Sequence, residues 1–579
     1  MKKIMLLVLF AAICIAGCSD NNTVPQSEIV KVAVPGSVST DKARYAPNEV
    51  VTFIIDRTIP VSSKVRYRHL STIVADEPVS GKTWTWTAPA TDFTGYLVEV
   101  YNAAAGKEQI IATTGVDVSS DWTRFPRYGF LSEYNAKTTA EINTVIDNLN
   151  KYHINGLQYY DWLYDHHKPL AGTPADPAAS WSDLIGRTNT RATTEAYLAA
   201  AKSRNMASMW YDLCYGALTN AAADGVQESW YLFKNSNHTT KDAHQLNAPF
   251  RSSIYLVDPN NQAWIDYFSD RVAEVYEAYD FDGFHIDQLG NRGTLYDYTG
   301  ATVNLPTGFE KFIQKMVTDF PQKRNAFNAV SGYGQANIAV AGVDFLYNEI
   351  WGEMSSYANL KTLIDQNHTY NSALNSVYAA YMNYDLGKNK GTFNTPGVLF
   401  TDAVMFAVGA SHLELGEHIL NNEYFPNSNL QPDNTLKAAL IRYYDFLVSY
   451  ENILRDGGEF NTVDLSSTAG TVSAAAWPPV TGKIISLAKK VGTQQVIHLF
   501  NFVNAQHLQW RDLNGTQTEP RLQQNVTLQI KVTQSVKKVW AATPDKEGKM
   551  YEELAFSVDD GSVTVTVPAL KYWTMLVME

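Results

Sequence analysis

Between residues 121 and 460 the sequence repeats one pattern eight times: a short apolar run, closed by polar residues, is followed by an amphipathic segment. The runs are "RYGFLS", "INGLQYYDW", "MASMWYDLCYG", "DGFHIDQLG", "RNAFNAV", "VDFLYNEIW", "NSVYAAYMNY" and "MFAVGASHLELG". The segments between them have helical periodicity; in one, Trp264, Phe268, Val272 and Val275 fall on a single face. Strands joined by crossover helices must lie parallel, and eight such units predict a (β/α)8 barrel with inserted loops. An open doubly wound sheet is the competing solution, and no Gly-rich phosphate loop follows any of the runs to support it.

The flanks obey a different period. Residues 29–120 alternate apolar and polar positions in "EVVTFIID", "KVRYRHL", "KTWTWTAP" and "GYLVEVYN", which predicts an immunoglobulin-like β-sandwich. The two tryptophans of "TWTWTAP" read as core. Residues 461–579 return to short alternating runs, "KIISLAKK", "QQVIHLFNF", "NVTLQIKV" and "GSVTVTVPAL", and predict a C-terminal antiparallel β-sandwich. The expected protein is multidomain, with a central TIM barrel between two sandwiches.

The chain opens with "MKKIMLLVLFAAICIAGCSD". Two lysines, an apolar run too short to span a bilayer and a small-residue end form a signal segment, expected over residues 1–17. Ile15-Ala16-Gly17-Cys18 resembles a bacterial lipobox, so Cys18 is the expected site of lipidation and residues 18–28 a tether. This places the chain at the bacterial cell envelope, membrane-anchored. With Cys14 and Cys18 so assigned, Cys214 is the one thiol left, and its apolar strand context reads as structural. No Cys/His pair has ligand spacing beyond the adjacent His166 and His167, so neither metal nor cofactor is expected. A net charge of -13 without any basic block excludes nucleic acid and suits a neutral ligand. The 33 Tyr and 13 Trp supply rings of the kind that stack on sugars.

Chemistry gathers where the apolar runs end. Asp287 closes the fourth and Glu349 the sixth, so in a barrel both stand at the carboxyl-terminal mouth, where active sites of this fold lie. A single aspartate there serves equally as a helix cap or an ion-pair partner. Two facing carboxylates are what glycosidic cleavage needs, one ionised toward C1 and one protonated toward the leaving oxygen. Asp161, Asn328, Asn383 and Glu414 add polar groups at other strand ends.

The ordered stretches "LQYYDWLYDHHKP", "YLVDPNNQAW", "DFDGFHIDQLG", "NAFNAVSGYG", "LYNEIWGE", "AAYMNY", "GASHLELGE", "NNEYFPN", "YYDFLVSYENILR", "VIHLFNF" and "WRD" resemble glycoside hydrolase family 66, the dextranases and cycloisomaltooligosaccharide glucanotransferases. The resemblance covers essentially everything after the signal segment. It implies that Asp287 is the nucleophile and Glu349 the general acid/base, with Glu353 in reserve one helical turn on. It further implies endo-acting, retaining hydrolysis of α-1,6-glucosidic bonds of dextran to isomaltooligosaccharides. For Glu349 to hold a proton near neutrality, desolvation beside Trp351 and the charge of Asp287 must raise its pKa. Asp161, His285, Gln288 and Asn328 are expected to bond sugar hydroxyls, and Trp162, Tyr211, Trp351 and Tyr381 to stack. His166, Glu353, Asn383 and Glu414 complete the expected substrate-binding set. Transferases of the family resemble dextranases with an extra carbohydrate-binding module inserted in the barrel. Here "AAYMNY" and "GASHLELGE" follow Glu349 at short spacing, which favours hydrolysis over cyclisation. The alternatives are a cycloisomaltooligosaccharide glucanotransferase and a non-catalytic glycan-binding surface lipoprotein.

Overall fold

The computed structural model describes residues 30–31, 36–104, 107–468, 472–547 and 550–579; the signal segment, Cys18 and the tether to residue 28 lie outside them. All eight expected barrel strands are present: β1 (Tyr128–Leu131), β2 (Gly156–Tyr159), β3 (Ala207–Leu213), β4 (Gly283–Asp287), β5 (Arg324–Asn328), β6 (Phe345–Glu349), β7 (Ser376–Ala379) and β8 (Ala410–Leu413). Each pairs in parallel with its sequence neighbour. The circle closes just past β8, where the Phe130 N–H donates to the Leu415 carbonyl at 3.0 Å.

Helices return the chain between strands. They include α1 (Thr139–Lys151), α2 (Arg191–Ser203), α3 (Gln262–Ala278), α4 (Leu305–Asp319), the short α5 (Gln335–Ile338), α6 (Tyr357–Asn371), α7 (Thr395–Val408) and α8 (Asn434–Ser449). Local sequence sets their starts. Thr138 and Glu141 form a capping box on α1, and the Asn261 side chain accepts from the Ala263 N–H on α3.

The period of two along each strand divides the core. Trp210, Phe284, Ile286, Phe327, Leu346 and Tyr378 face the helices, while Tyr128, Phe130, Met209, Phe345, Tyr347 and Val377 fill the barrel. Trp122 plugs the lower end, stacked on Tyr128 at 5.9 Å. A Cβ at position 156 would stand 2.3 Å from that indole, so β2 must begin with glycine. Burying a ring of this kind contributes roughly 1.5–3 kcal/mol. Cys214 is buried, as its apolar context suggests.

Before the barrel, strands Lys64–His69, Thr72–Pro78, Thr94–Ala104 and Lys107–Val118 pair side by side. Gly36–Thr40 joins them to Val50–Ile55 and Thr83–Thr87, pairing parallel with the first group and antiparallel with the second. Tyr67 and Trp86, from opposite groups, stack at 4.3 Å, so the two groups share a core; Trp84 stacks on Phe53 at 5.1 Å. After the barrel, an antiparallel sheet containing Ile484–Val491, Gln494–Asn501 and Trp573–Met578 packs on one containing Gln523–Lys531 and Ser562–Leu570. The N-terminal strands are clamped to the barrel by Arg127, fully buried between Asp117 at 2.7 Å and Glu451 at 3.3 Å. The C-terminal strands are clamped through the loop around Trp510, whose carbonyl accepts from Thr401 Oγ1 at 2.8 Å.

Candidate active site

Inward positions on β4 and β6 advance in step. His285 meets Tyr347 edge-on at 4.6 Å, and the next inward residue on each strand is Asp287 and Glu349. Between them, at the end of β5, Asn328 Nδ2 donates to Asp287 Oδ1 at 2.8 Å and to Glu349 Oε2 at 2.9 Å. The two N–H bonds of a planar amide diverge by about 120°, which sets these oxygens about 5 Å apart. Asp287 also accepts from the Gln288 N–H at 2.7 Å and from the Tyr211 hydroxyl, on β3, at 2.6 Å. Glu349 accepts one further bond, from the Tyr381 hydroxyl at 2.7 Å.

These partners separate two chemically similar groups. Burial pushes both carboxyls up, and for Glu349 the charge of Asp287 adds to it, lifting it to about 7. Among the described residues Asp287 carries three donors against two on Glu349, so the anion settles on Asp287 and the proton on Glu349. Beneath them, burial drives His285 down to about 3, so the imidazole is neutral.

The remaining expected residues divide. Asp161 follows β2 in a left-handed conformation (φ 49°), and burial lifts its carboxyl to about 6 against the opposing charges of His166 and Arg187. His166 Nδ1 pairs with Asp212 at 2.6 Å, and its Nε2 makes no hydrogen bond among the described residues. Trp351 is half-buried at the mouth, 5.3 Å from Tyr381. Several expectations are corrected. Trp162 is 1% exposed: the left-handed turn at Asp161 sends it outward into Trp181, Trp210, Tyr279 and Phe281, so it is core. Tyr211 and Tyr381 present hydroxyls to the carboxylates rather than open ring faces to sugar. His285 is walled in between Tyr128 and Tyr211. Gln288 spends its amide on the Asn328 carbonyl at 3.2 Å and the Gly290 N–H at 2.6 Å, shaping the loop. Asn383 bonds the Asp512 carbonyl at 2.7 Å and fastens the C-terminal strands. Glu414 is buried against Tyr444 and His412, because it follows β8 on the helix-facing side. Glu353 lies exposed on the turn Gly352–Met354 and bonds neither carboxylate.

Four contributors escape sequence reading. Tyr160 and Tyr384 hold the loop after β8, donating to the Glu423 carbonyl at 3.1 Å and to Glu423 Oε1 at 2.9 Å. Glu423 is close enough to raise Glu349 further. Arg511 reaches Trp351 and Tyr384 from the C-terminal strands. The signal was at hand in "NNEYFPN" and "WRD", but nothing in spacing ties those stretches to the mouth.

Among the described residues one group, Asp402, His412 and Glu414, brings three metal-ligand types together. It lies between β8 and α7, where His412 Nε2 donates to the Ala380 carbonyl at 2.7 Å and Nδ1 faces Asp402 at 2.8 Å. It supplies no ligand to the mouth.

A closed parallel barrel with a hydrogen-bonded carboxylate pair at its carboxyl-terminal mouth is the framework of a glycosidase, and this chain is an enzyme of that class. It belongs to Glycosyl hydrolase family 66, whose sequence signature matches residues 40–577. A cycloisomaltooligosaccharide glucanotransferase of Niallia circulans is 27% identical over 751 residues, spanning 100% of this chain and 75% of that one. A dextranase of Streptococcus salivarius is 24% identical over 561 residues, spanning 84% and 67%. The crystal structure of a cycloisomaltooligosaccharide glucanotransferase of Paenibacillus sp., complexed with cycloisomaltoheptaose, superposes with a TM-score of 0.83 at 26% identity. That match covers 94% of this chain and 100% of the other.

Proposed function

We propose that this enzyme is an endo-acting, retaining dextranase that hydrolyses α-1,6-glucosidic bonds of dextran to isomaltooligosaccharides. The observation that carries the reading is the Asn328 bridge, because a span of about 5 Å between carboxylates suits direct attack and leaves no room for an intervening water. Asp287 Oδ2, which among the described residues accepts only from Tyr211, keeps a lone pair for C1. As that bond forms, the C1–O bond breaks and Glu349 gives its proton to the departing oxygen. Water then attacks C1, its proton passes to Glu349, and the ester bond to Asp287 breaks. The substrate class rests on the relatives, whose names are dextranase and cycloisomaltooligosaccharide glucanotransferase.

Hydrolysis rather than cyclisation is supported by length. The match to the Niallia circulans transferase runs over 751 residues against 579 here, so stretches of that enzyme have no counterpart in this chain. The transferase reading draws on the slightly higher identity, 27% against 24%. Product analysis after digestion of dextran separates them: a ladder of linear isomaltooligosaccharides supports hydrolysis, and cyclic products overturn it. The proposal places the enzyme at the bacterial envelope, tethered through acylated Cys18. Cys18→Ala should then move it from the detergent phase to the aqueous phase, and a wild-type protein already aqueous would refute the anchor.

A further inference from the structure

Arg511 is 7% exposed, yet no carboxylate pairs with it among the described residues. Its guanidinium lies over the rings of Trp351 at 5.2 Å, Tyr384 at 5.0 Å and Trp510 at 5.6 Å. Nε and Nη2 are buried without an acceptor among the described residues, which leaves Nη1 as the nitrogen open outward. An always-charged fork held this way has exchanged hydration for aromatic faces, with no hydrogen-bonded acceptor among the described residues. Its position is fixed from the barrel: the Asn383 N–H donates to the Arg511 carbonyl at 2.9 Å and Asn383 Nδ2 to the Asp512 carbonyl at 2.7 Å.

We infer that the C-terminal domain completes the sugar cleft, with Arg511, Trp351, Tyr384 and Glu423 forming the subsite for glucosyl units on the leaving-group side of the cleaved bond. The inference rests on the dextranase reading and deepens it. The side follows from connectivity. Trp351 packs on Tyr381, whose hydroxyl binds Glu349, and Glu349 is the group that protonates the departing sugar. The chemistry follows from the mixture of groups. Trp351 offers an apolar face to the C–H side of a pyranose, Arg511 Nη1 donates to a hydroxyl oxygen, and Glu423 accepts from a hydroxyl. A bare guanidinium would also suit an anion, but the Glu423 carboxylate beside it repels one, whereas a neutral polyol uses both.

The test compares dextran with α-isomaltotriosyl fluoride, whose leaving group fills no sugar subsite on that side. Arg511→Met should lower kcat/KM on dextran tenfold or more beyond any loss on the fluoride, the scale of a lost charge-assisted hydrogen bond. Arg511→Lys, which keeps a charge but not the fork, should fall between, with melting temperature followed for both variants. Transfer of glycosyl groups to added isomaltotriose should decline in parallel with dextran cleavage. Equal losses on both substrates, or none on either, would overturn the inference. A wild-type enzyme that cleaves neither substrate would instead overturn the dextranase reading.

Discussion

Asp287 and Glu349 accept hydrogen bonds from one amide nitrogen, Asn328 Nδ2, at 2.8 and 2.9 Å. A neutral bridge of this kind lets two carboxyls approach to attacking distance without a cation between them. It also stabilises the ionised form of each, since both bonds lower the respective pKa. Asn328→Ala therefore removes two charge-assisted donors at once. The loss of ~1.5–3 kcal/mol that one such bond carries predicts a fall in kcat/KM of about 10–100-fold or more. The acid limb of the pH profile should move upward, because Asp287 becomes harder to ionise. Steady-state kinetics on dextran across pH checks both; a variant with wild-type rate and profile would show that the bridge is incidental.

The two carboxylates predict different rescue chemistry. On the proposed mechanism Asp287→Ala leaves nothing to form the covalent intermediate, so turnover should be lost by several orders of magnitude on every substrate. Glu349→Ala should retain more activity on an aryl glycoside, whose leaving group needs no proton. Added azide should then intercept the glycosyl enzyme to give an α-glycosyl azide. Product NMR reads the configuration, and a β-azide would mean that Asp287 activates water instead of attacking carbon.

The pH dependence follows from the proton on Glu349. With its pKa near 7, the acid form is lost as pH rises through that value, so kcat/KM should decline on an alkaline limb there. Tyr381 donates to Glu349 Oε1 and so favours the anion. Removing that donor in Tyr381→Phe should raise the pKa and carry the limb to higher pH. A limb that moves downward, or stays in place, would remove Tyr381 from the account.

Strand parity explains what could be read from the sequence and what could not. His285 and Asp287, like Tyr347 and Glu349, are two residues apart at strand ends, so their inward direction and shared height follow from the period of a strand. Asn328 was placed at the mouth by the same argument, but its bridging of both carboxyls depends on side-chain direction. The period of two stops fixing side-chain direction where the strand ends. One left-handed residue, Asp161, reverses the parity and sends Trp162 into the helix layer. The similar conformation of Asn383 (φ 53°) ties that residue to Asp512 rather than to sugar. Arg511 and Glu423 reach the mouth from loops distant in the chain, and no periodicity encodes where such loops meet.

The proposed mechanism requires Glu349 to act first as acid and then as base. Burial is the larger cause of the raised pKa of Glu349, and the charge of Asp287 is the next. In the proposed glycosyl enzyme, esterification of Asp287 would abolish that charge, and Asp287→Asn imitates the change without chemistry. Because the anion raises the glutamate pKa, its removal must lower it, while the burial contribution stays. In Asp287→Asn the Glu349 carboxyl should therefore titrate clearly below 7, still above an exposed glutamate. Carboxyl 13C NMR titration, with the resonance assigned by its absence in Glu349→Gln, measures the shift directly. An unchanged titration would mean that burial alone holds the proton, and the switch from acid to base would need another source, with Glu423, the next acidic neighbour, the first to vary.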